Sequence, residues 1–215
     1  MAQLQLALDF LDLAKAVEMA CSLQECVDIV EVGTPMIVDH GLRAVREIRA
    51  SLPDTQMLAD LKIMDAGFQE AEAAFRSGAD IVTVLGVAGE NTIAQVVKAA
   101  RKYEGKRVLA DLIECHDVGQ RTSQLVDLGV DIVCVHTAFD SQKSDQKKNP
   151  LEEPQSVRRS CPQATVAVAG GVTLETAAAI AAQGARIVVI GSAITGAPDP
   201  LGVAKAMRKI LKECI

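Results

Sequence analysis

Aromatic side chains are almost absent from this sequence. They make up 2% of the 215 residues, with no tryptophan, although hydrophobic residues make up 49%. The core must therefore be built from valine, isoleucine, leucine and alanine, which is the composition expected of a parallel β-sheet covered by helices. The length suits one sizeable domain and nothing in the sequence marks a second, so we expect a single domain over residues 1–215.

An excess of positive charge, cysteine motifs and long apolar runs are lacking as well. The formal net charge of −6 argues against nucleic acid or an anionic membrane surface as a partner. The six cysteines show no C-x-x-C spacing, so we expect reduced thiols. No segment has the length of a membrane span, and the N-terminus does not resemble an export signal. We therefore expect a cytoplasmic protein.

Short apolar runs rich in β-branched residues recur along the chain, separated by segments with helical periodicity. The runs occupy residues 4–8, 28–32, 56–61, 81–85, 108–112, 132–135, 165–169 and 187–190. Alternating strands and helices favour a parallel sheet, and eight such units predict a (β/α)8 TIM barrel. The alternative is a doubly wound open sheet, although GxGxxG and P-loop motifs are missing. The one long connection, residues 137–154, is either a mobile lid or a solvated loop.

Charged side chains stand where the apolar runs end. In a barrel, the carboxyl ends of all strands converge on one site. The residues at these ends are Asp9, Glu31, Asp60 with Lys62, Asp111, and His136. Aspartates are common at helix N-caps, and chance placement of that kind explains some of these residues but not the whole set. We therefore interpret the set as a functional cluster rather than as separate surface salt bridges.

The segment 58–66 concentrates three of the charges. Strand alternation predicts that Asp60 and Lys62 face the same way, and Asp65 follows in the next turn. Buried charges are costly unless they are paired or bind a ligand. Glu31 and Asp60 offer hard oxygen donors, so we predict that they bind Mg²⁺ or Mn²⁺. His136 is the candidate for proton transfer, since histidine is the side chain that changes charge near neutral pH.

Two glycine-rich turns predict a phosphate site. Gly170 and Gly171 follow the seventh run, Gly191 and Ser192 follow the eighth, and each pair leads into a helical segment. Backbone N–H groups at helix starts bind phosphate, and glycine lets the backbone approach the oxygens. The loops after strands seven and eight form the recurrent phosphate site of barrels. We therefore expect a phosphorylated small molecule as substrate.

These motifs resemble the orotidine monophosphate decarboxylase suprafamily. The resemblance rests on the Asp-x-Lys-x-x-Asp set at residues 60–65, the Glu-Val-Gly-Thr-Pro segment at 31–35 and the glycine pair at 170–171. It runs from Leu4 to the C-terminal helix. It is greatest with the metal-dependent branch, because the monophosphate decarboxylase itself carries a lysine where this chain has Glu31. The resemblance implies enediolate chemistry on a phosphorylated ketose, and a homodimer in which Asp65 reaches into the partner subunit's site.

Two positions separate the reactions of that branch. Its decarboxylases of 3-keto-L-gulonate 6-phosphate typically show His-Arg-x-Arg-Asp after strand six and Gly-Arg after strand eight. This chain has His-Thr-Ala-Phe-Asp at residues 136–140 and Gly-Ser at 191–192. The resemblance therefore implies an aldolase, a carbon–carbon lyase that joins formaldehyde to D-ribulose 5-phosphate. The alternatives are the decarboxylase and a catalytically silent barrel that binds phosphosugars.

The resemblance also implies roles for the clustered side chains. Lys62 would place a positive charge beside the enediolate, and His136 would remove the carbon-bound proton. Asp9 and Asp111 would orient substrate hydroxyls or the histidine. The bound metal would make a lysine Schiff base unnecessary, although Lys62 as an imine nucleophile stays an alternative.

Overall fold

Eight parallel strands close into a barrel in the computed structural model, which describes residues 1–143 and 152–213. The strands are β1 (Gln3–Leu8), β2 (Ile29–Val32), β3 (Gln56–Ile63), β4 (Ile81–Leu85), β5 (Arg107–Asp111), β6 (Ile132–His136), β7 (Thr165–Ala169) and β8 (Ile187–Ile190). They pair in chain order, and β8 pairs with β1. The (β/α)8 prediction is confirmed and the open-sheet alternative is wrong.

Helices follow the strands and cover the outside of the barrel. They are α1 (Leu13–Leu23), α2 (Thr34–His40), α3 (Arg43–Ser51), α4 (Gly67–Arg76), α5 (Glu90–Ala100), α6 (Val118–Asp127), α7 (Glu152–Ser160), α8 (Leu174–Ala182), α9 (Ser192–Thr195) and α10 (Pro200–Glu213), with a 3-10 turn at Asp140–Lys143. Gly78, Gly129 and Gly184 have φ of 108°, 89° and 95°, a left-handed conformation that glycine adopts without strain. They follow the ends of α4, α6 and α8.

The inside of the barrel has an apolar floor and a polar upper layer. The buried apolar residues inside the barrel are Ala7, Ile29, Leu58, Ile81, Leu109, Ile132, Cys134, Ala167, Ala169, Ile187 and Val189. Two residues further along β2 to β5, the inward positions carry Glu31, Asp60, Thr83 and Asp111, all buried. Ala7 and Cys134 pair with Glu31 and Asp111, so on this side apolar residues stand beside the polar layer. Because inward positions repeat every two residues, the polar layer lies one step nearer the carboxyl ends of the strands. This layer is the base of the candidate site.

Aspartates at the opposite end of the barrel bind the backbone of neighbouring strands. Asp28, Asp80 and Asp131 accept hydrogen bonds from the N–H groups of Leu4, Met57 and Val108, at 2.9, 2.9 and 2.8 Å. Asp80 also accepts from Lys106 Nζ at 2.8 Å and from Arg49 Nη2 at 2.5 Å. Polar groups at the amino ends of barrel strands serve stability rather than catalysis.

Some of the sequence-based expectations fall on residues 144–151 and 214–215, outside the described part of the chain. They concern most of the 137–154 connection, with its lid and solvated-loop alternatives, and Cys214. Within the two described stretches, no helix is both long enough and apolar enough to cross a membrane.

Candidate active site

The carboxyl end of β3 is irregular, and this irregularity positions Asp60 and Lys62. Ala59 pairs with Val82 and Ile63 with Val84, so β3 advances four residues while β4 advances two. The extra residues form a bulge, in which Lys62 has φ +48°, the left-handed region that a residue with a Cβ rarely adopts. Asp60 and Lys62 do converge, as predicted. Their convergence depends on the bulge and not on regular strand alternation alone.

A continuous chain of charged contacts joins four of the predicted residues. Lys62 Nζ donates to Asp60 Oδ2 at 2.6 Å and lies 3.3 Å from Asp111 Oδ2. Asp111 Oδ2 also lies 2.8 Å from His136 Nδ1. Because an ionised carboxylate can only accept, Nδ1 carries the proton in this contact and Nε2 is left for proton exchange. The contacts therefore fix both the tautomer and the position of the imidazole.

Electrostatics keeps Lys62 and Asp111 charged. Burial opposes the charge on Lys62, but Asp60 and Asp111 outweigh it and raise the pKa of the ammonium group. Burial alone would raise the pKa of Asp111 too, but the hydrogen bond with His136 and the charges of His136 and Lys62 hold this pKa below its usual range. The result is an ammonium group held between two carboxylates at the mouth of the barrel.

Two threonines that the sequence reasoning missed complete the contacts of Asp60. Thr83 Oγ1 donates to Asp60 Oδ1 at 2.8 Å, and Thr34 Oγ1 lies 2.7 Å from Asp60 Oδ2 and 2.8 Å from its backbone oxygen. Thr34 belongs to the 31–35 segment that carried the family resemblance. The sequence signal for Thr83 is weaker. It consists only of an inward-facing position on β4, two residues after Ile81.

Glu31 occupies a dry position beside Asp60. Burial and the negative charge of Asp60 raise the pKa of Glu31 to about 8, although a hydrogen bond from Gln5 opposes this shift. Gln5 Nε2 donates to Glu31 Oε2 at 2.6 Å, and Gln5 Oε1 is buried without a hydrogen-bond partner among the described residues. Gln5 was also missed, since a single glutamine in an apolar run carries no distinctive signal.

The donor set of Glu31 and Asp60 fits Mg²⁺ or Mn²⁺. Two buried carboxylates, of which the charge of Asp60 helps to raise the pKa of Glu31, are the arrangement that a divalent cation relieves. Magnesium usually binds one or two protein carboxylates and completes its shell with water and substrate oxygens. In the described part of the chain, no group of three or more His, Cys, Asp or Glu side chains is arranged to hold a metal ion. The residues therefore suit a cation shared with substrate, and metal binding stays a prediction.

Asp9 lies at the rim, between the turns that follow β2 and β8. A Cβ added to Gly33 would be 2.1 Å from Asp9 Oδ1, and one added to Gly191 would be 3.5 Å from Asp9 Oδ2. Partial removal from water and the charge of Asp60 raise the pKa of Asp9. Only glycine at residue 33 leaves room for this carboxylate, which faces the predicted phosphate turn on its other side.

The two glycine-rich turns have the predicted form. Gly170 and Gly171 have φ of 89° and 69°, and a Cβ on Gly170 would come within 2.2 Å of the Thr137 carbonyl oxygen. The turn after β7 therefore packs against the segment that follows His136. Gly191 is the N-cap of α9, whose first residue is Ser192. The N–H groups of a first helical turn lack partners within the helix. The phosphate role of these turns stays a prediction.

Asp65 does not join the cluster within one chain. Its side chain is exposed, and Oδ1 accepts the Ala66 N–H at 2.7 Å. Among the described residues, it has no hydrogen bond or ion pair with Lys62 or His136. A contribution of Asp65 to a partner subunit's site stays a prediction.

Comparison with known proteins agrees with this barrel. The model of the Orotidine 5'-phosphate decarboxylase / HUMPS family matches residues 2–207. The chain therefore belongs to this family, and the resemblance inferred from its motifs is confirmed. Over 209 residues it is 40% identical to the 3-hexulose-6-phosphate synthase of Bacillus subtilis (strain 168), which covers 97% of this chain and 98% of that protein.

Solved structures extend the comparison. The crystal structure of 3-hexulose-6-phosphate synthase from Salmonella typhimurium has a TM-score of 0.94 at 38% identity, covering 99% of this chain and 100% of that one. The structure of 3-keto-L-gulonate-6-phosphate decarboxylase from Vibrio cholerae has a TM-score of 0.88 at 25% identity, covering 100% and 99%. Both share the barrel, and sequence identity is higher with the synthase.

Proposed function

We propose that this protein is an aldolase, a carbon–carbon lyase that condenses formaldehyde with D-ribulose 5-phosphate to D-arabino-3-hexulose 6-phosphate. The observation that carries the proposal is the contact chain Asp60–Lys62–Asp111–His136 at the mouth of the barrel. Identity of 40% with a named synthase over almost the whole chain supports the choice of reaction. Asp60 and Glu31 would hold Mg²⁺ or Mn²⁺, which would supply positive charge beside the oxygens of the ketose when bound.

The side chains suit the making and trapping of an enediolate. His136 Nε2 removes a proton from C1 of the ketose, while Asp111 holds the protonated Nδ1. Lys62 stays protonated between its two carboxylates and stabilises the negative charge that develops on the oxygens. The enediolate carbon then attacks formaldehyde, and the imidazolium returns the proton to the former formaldehyde oxygen. One histidine thus serves both proton transfers.

Phosphate recognition falls to the turns after β7 and β8. Gly170 and Gly171 have left-handed backbone conformations, and α9 starts directly after Gly191. Ser192 stands where the decarboxylases of the branch tend to carry arginine. Binding here would depend on backbone N–H groups and a hydroxyl, so an unphosphorylated ribulose should turn over far more slowly than ribulose 5-phosphate.

The barrel mouth is the face that we propose for the homodimer. Exposed large apolar residues follow the carboxyl ends of five strands: Leu11, Val38, Met64, Val87 and Phe139. Such a concentration at one end is typical of a protein–protein contact. Asp65 lies next to Met64 on this face, where a partner subunit's site would be within its reach.

The choice between aldolase and decarboxylase rests on residues 137 and 139. Phe139 is 66% exposed in the single chain. It can exclude water only where a partner subunit or the 137–154 connection covers it. The favoured reaction remains condensation, because the arginines of the decarboxylase pattern are replaced by threonine and phenylalanine.

Parallel assays test the proposal. Purified protein with Mg²⁺ and ribulose 5-phosphate should consume formaldehyde, and it should release CO₂ from 3-keto-L-gulonate 6-phosphate slowly. Faster decarboxylation than condensation would overturn the assignment in favour of the related decarboxylase. Binding of ribulose 5-phosphate without either reaction would identify a silent barrel.

A further inference from the structure

Thr83 on β4 joins the two halves of the Asp60–Lys62 pair. Its hydroxyl donates to Asp60 Oδ1 at 2.8 Å and accepts the backbone N–H of Lys62 at 2.8 Å. The residue is 3% exposed, so water cannot replace these contacts. One buried hydroxyl thus binds the side chain of one functional residue and the main chain of the other.

The position of Thr83 explains why Lys62 needs this contact. Thr83 lies between Val82 and Val84, opposite the bulge in β3, where the regular ladder skips from Ala59 to Ile63. Within the skipped segment, Lys62 holds a left-handed backbone at φ +48°, which is unfavourable for a residue with a Cβ. The Thr83 hydroxyl takes the place of the missing ladder acceptor for Lys62.

We propose that Thr83 is a positioning residue for the aldol reaction. Thr83 Oγ1 binds both the Asp60 carboxylate and the Lys62 backbone N–H. These two contacts fix the position of the Lys62 ammonium group relative to Asp111 and His136. This inference rests on the proposed function for its kinetic effect, but the contact itself is independent of the reaction. Thr34 also touches Asp60, but it has no described contact with Lys62 and cannot play this part.

Substitution at Thr83 tests the kinetic effect. Thr83→Val keeps the shape and removes the hydroxyl, and Thr83→Ser keeps the hydroxyl. We expect Thr83→Val to lower kcat by about 10- to 100-fold, the rate equivalent of one hydrogen bond to a charged group, with a much smaller change in KM. Thr83→Ser should restore most of kcat. A valine variant with wild-type kcat would overturn the proposal.

Thr122→Val is the matched control. Thr122 is a fully buried threonine on α6 whose hydroxyl donates to the Val118 carbonyl oxygen at 2.6 Å, away from the cluster. The same substitution there removes a buried hydroxyl bond without touching Asp60 or Lys62. It should lower the melting temperature while leaving kcat at the wild-type value. An equal loss of kcat in both variants would show that Thr83 acts through stability alone, against the proposal.

Amide hydrogen exchange provides a readout that needs no turnover. The Lys62 N–H of the wild-type protein should exchange slowly, because Thr83 binds it, and at least about tenfold faster in Thr83→Val. Thr83→Ser should keep the slow exchange. Fast exchange of the Lys62 amide in the folded wild-type protein would overturn the proposal even if the valine variant does not fold. A wild-type protein without aldolase activity would instead refute the proposed function and leave exchange to decide on Thr83.

Discussion

Replacing Asp111 with asparagine should remove most of the proposed aldolase activity while leaving the barrel folded. Asp111 is buried, and its Oδ2 contacts both His136 Nδ1 and Lys62 Nζ, at 2.8 and 3.3 Å. Oδ1 accepts the Ile113 N–H at 2.9 Å. In the variant, the amide oxygen can keep the bond to Ile113. The NH₂ group then faces two donors, so the imidazole loses its orienting acceptor and Lys62 loses one of its two counter-charges.

The size of the effect follows from the two interactions that the asparagine side chain cannot make. A hydrogen bond to a charged group contributes about 1.5–3 kcal/mol, so two such bonds amount to about 3–6 kcal/mol. At about 1.4 kcal/mol for each factor of ten, the full amount in the transition state would lower kcat by about 10² to 10⁴. Part of the loss will appear as lower stability, because removing one partner from a buried ion pair leaves the other uncompensated.

Asp117→Asn is the control for this experiment. Asp117 caps α6, accepting the Gln120 N–H at 2.9 Å, and lies six residues further along the chain. The same loss of charge there should leave kcat unchanged and the melting temperature close to wild type, since asparagine is an equally good N-cap. Initial rates of formaldehyde consumption at saturating ribulose 5-phosphate measure kcat. An Asp111→Asn variant that retains more than about a tenth of wild-type kcat would refute the orienting role.

Three further predictions concern the metal, the choice of reaction and stability. Excess chelator should abolish activity, and Mg²⁺ or Mn²⁺ should restore it. The Asp60→Ala variant should lose nearly all turnover. Full activity of the wild-type protein in chelator would contradict a metal role. Phe139→Arg, combined with Thr137→Arg, should shift the ratio of the two kcat/KM values toward decarboxylation, and an unchanged ratio would show that these positions do not select the reaction. Burial alone would raise the pKa of Asp80, but its bonds with Lys106 and the Met57 N–H and the charge of Arg49 hold it below the usual range. Asp80→Asn should therefore lower the free energy of unfolding by about 1–3 kcal/mol near neutral pH. A depressed pKa gives stability that is present above the unfolded value of about 3.9 and is lost as the pH falls through the folded value, so the difference from wild type should shrink on acidification. A constant difference in urea melts from pH 7 to pH 3 would count against this account.

The fold could be predicted because strand length and apolar pattern repeat along the chain. The predicted runs match the observed strands to within two residues at every end. The main difference is at β3, which continues to Ile63 beyond the predicted end at residue 61. The bulge explains this difference in length. Lys62 is charged and interrupts the apolar pattern, but the backbone rejoins the ladder at Ile63. A local irregularity of this kind has no signature in hydrophobic periodicity.

The charged part of the site could be predicted and its uncharged part could not. Asp60, Lys62, Asp111 and His136 were predicted to meet because all stand at strand ends, and parallel strands bring those ends together. Gln5, Thr34 and Thr83 lie among the same strands and turns, but uncharged polar residues are common in such positions for reasons unrelated to function. Their importance comes from the atoms that they face, which depends on barrel register and on the bulge.

A single chain orients the charged side chains of the site, but it leaves the mouth of the barrel open to water. The contacts from Asp60 to His136 are all formed within a single chain, so the proposed dimer is not needed to arrange them. Phe139 and Met64, by contrast, are exposed at the rim of the same mouth. An enediolate open to water is protonated before formaldehyde reaches it, and the charge of Lys62 acts more strongly when water is excluded. A second copy over this face would bury both apolar residues, dry the mouth and bring Asp65 near a partner subunit's site. On the proposed function, the ion-pair chain would supply the chemistry of the barrel, and dimer formation would favour condensation over protonation of the enediolate.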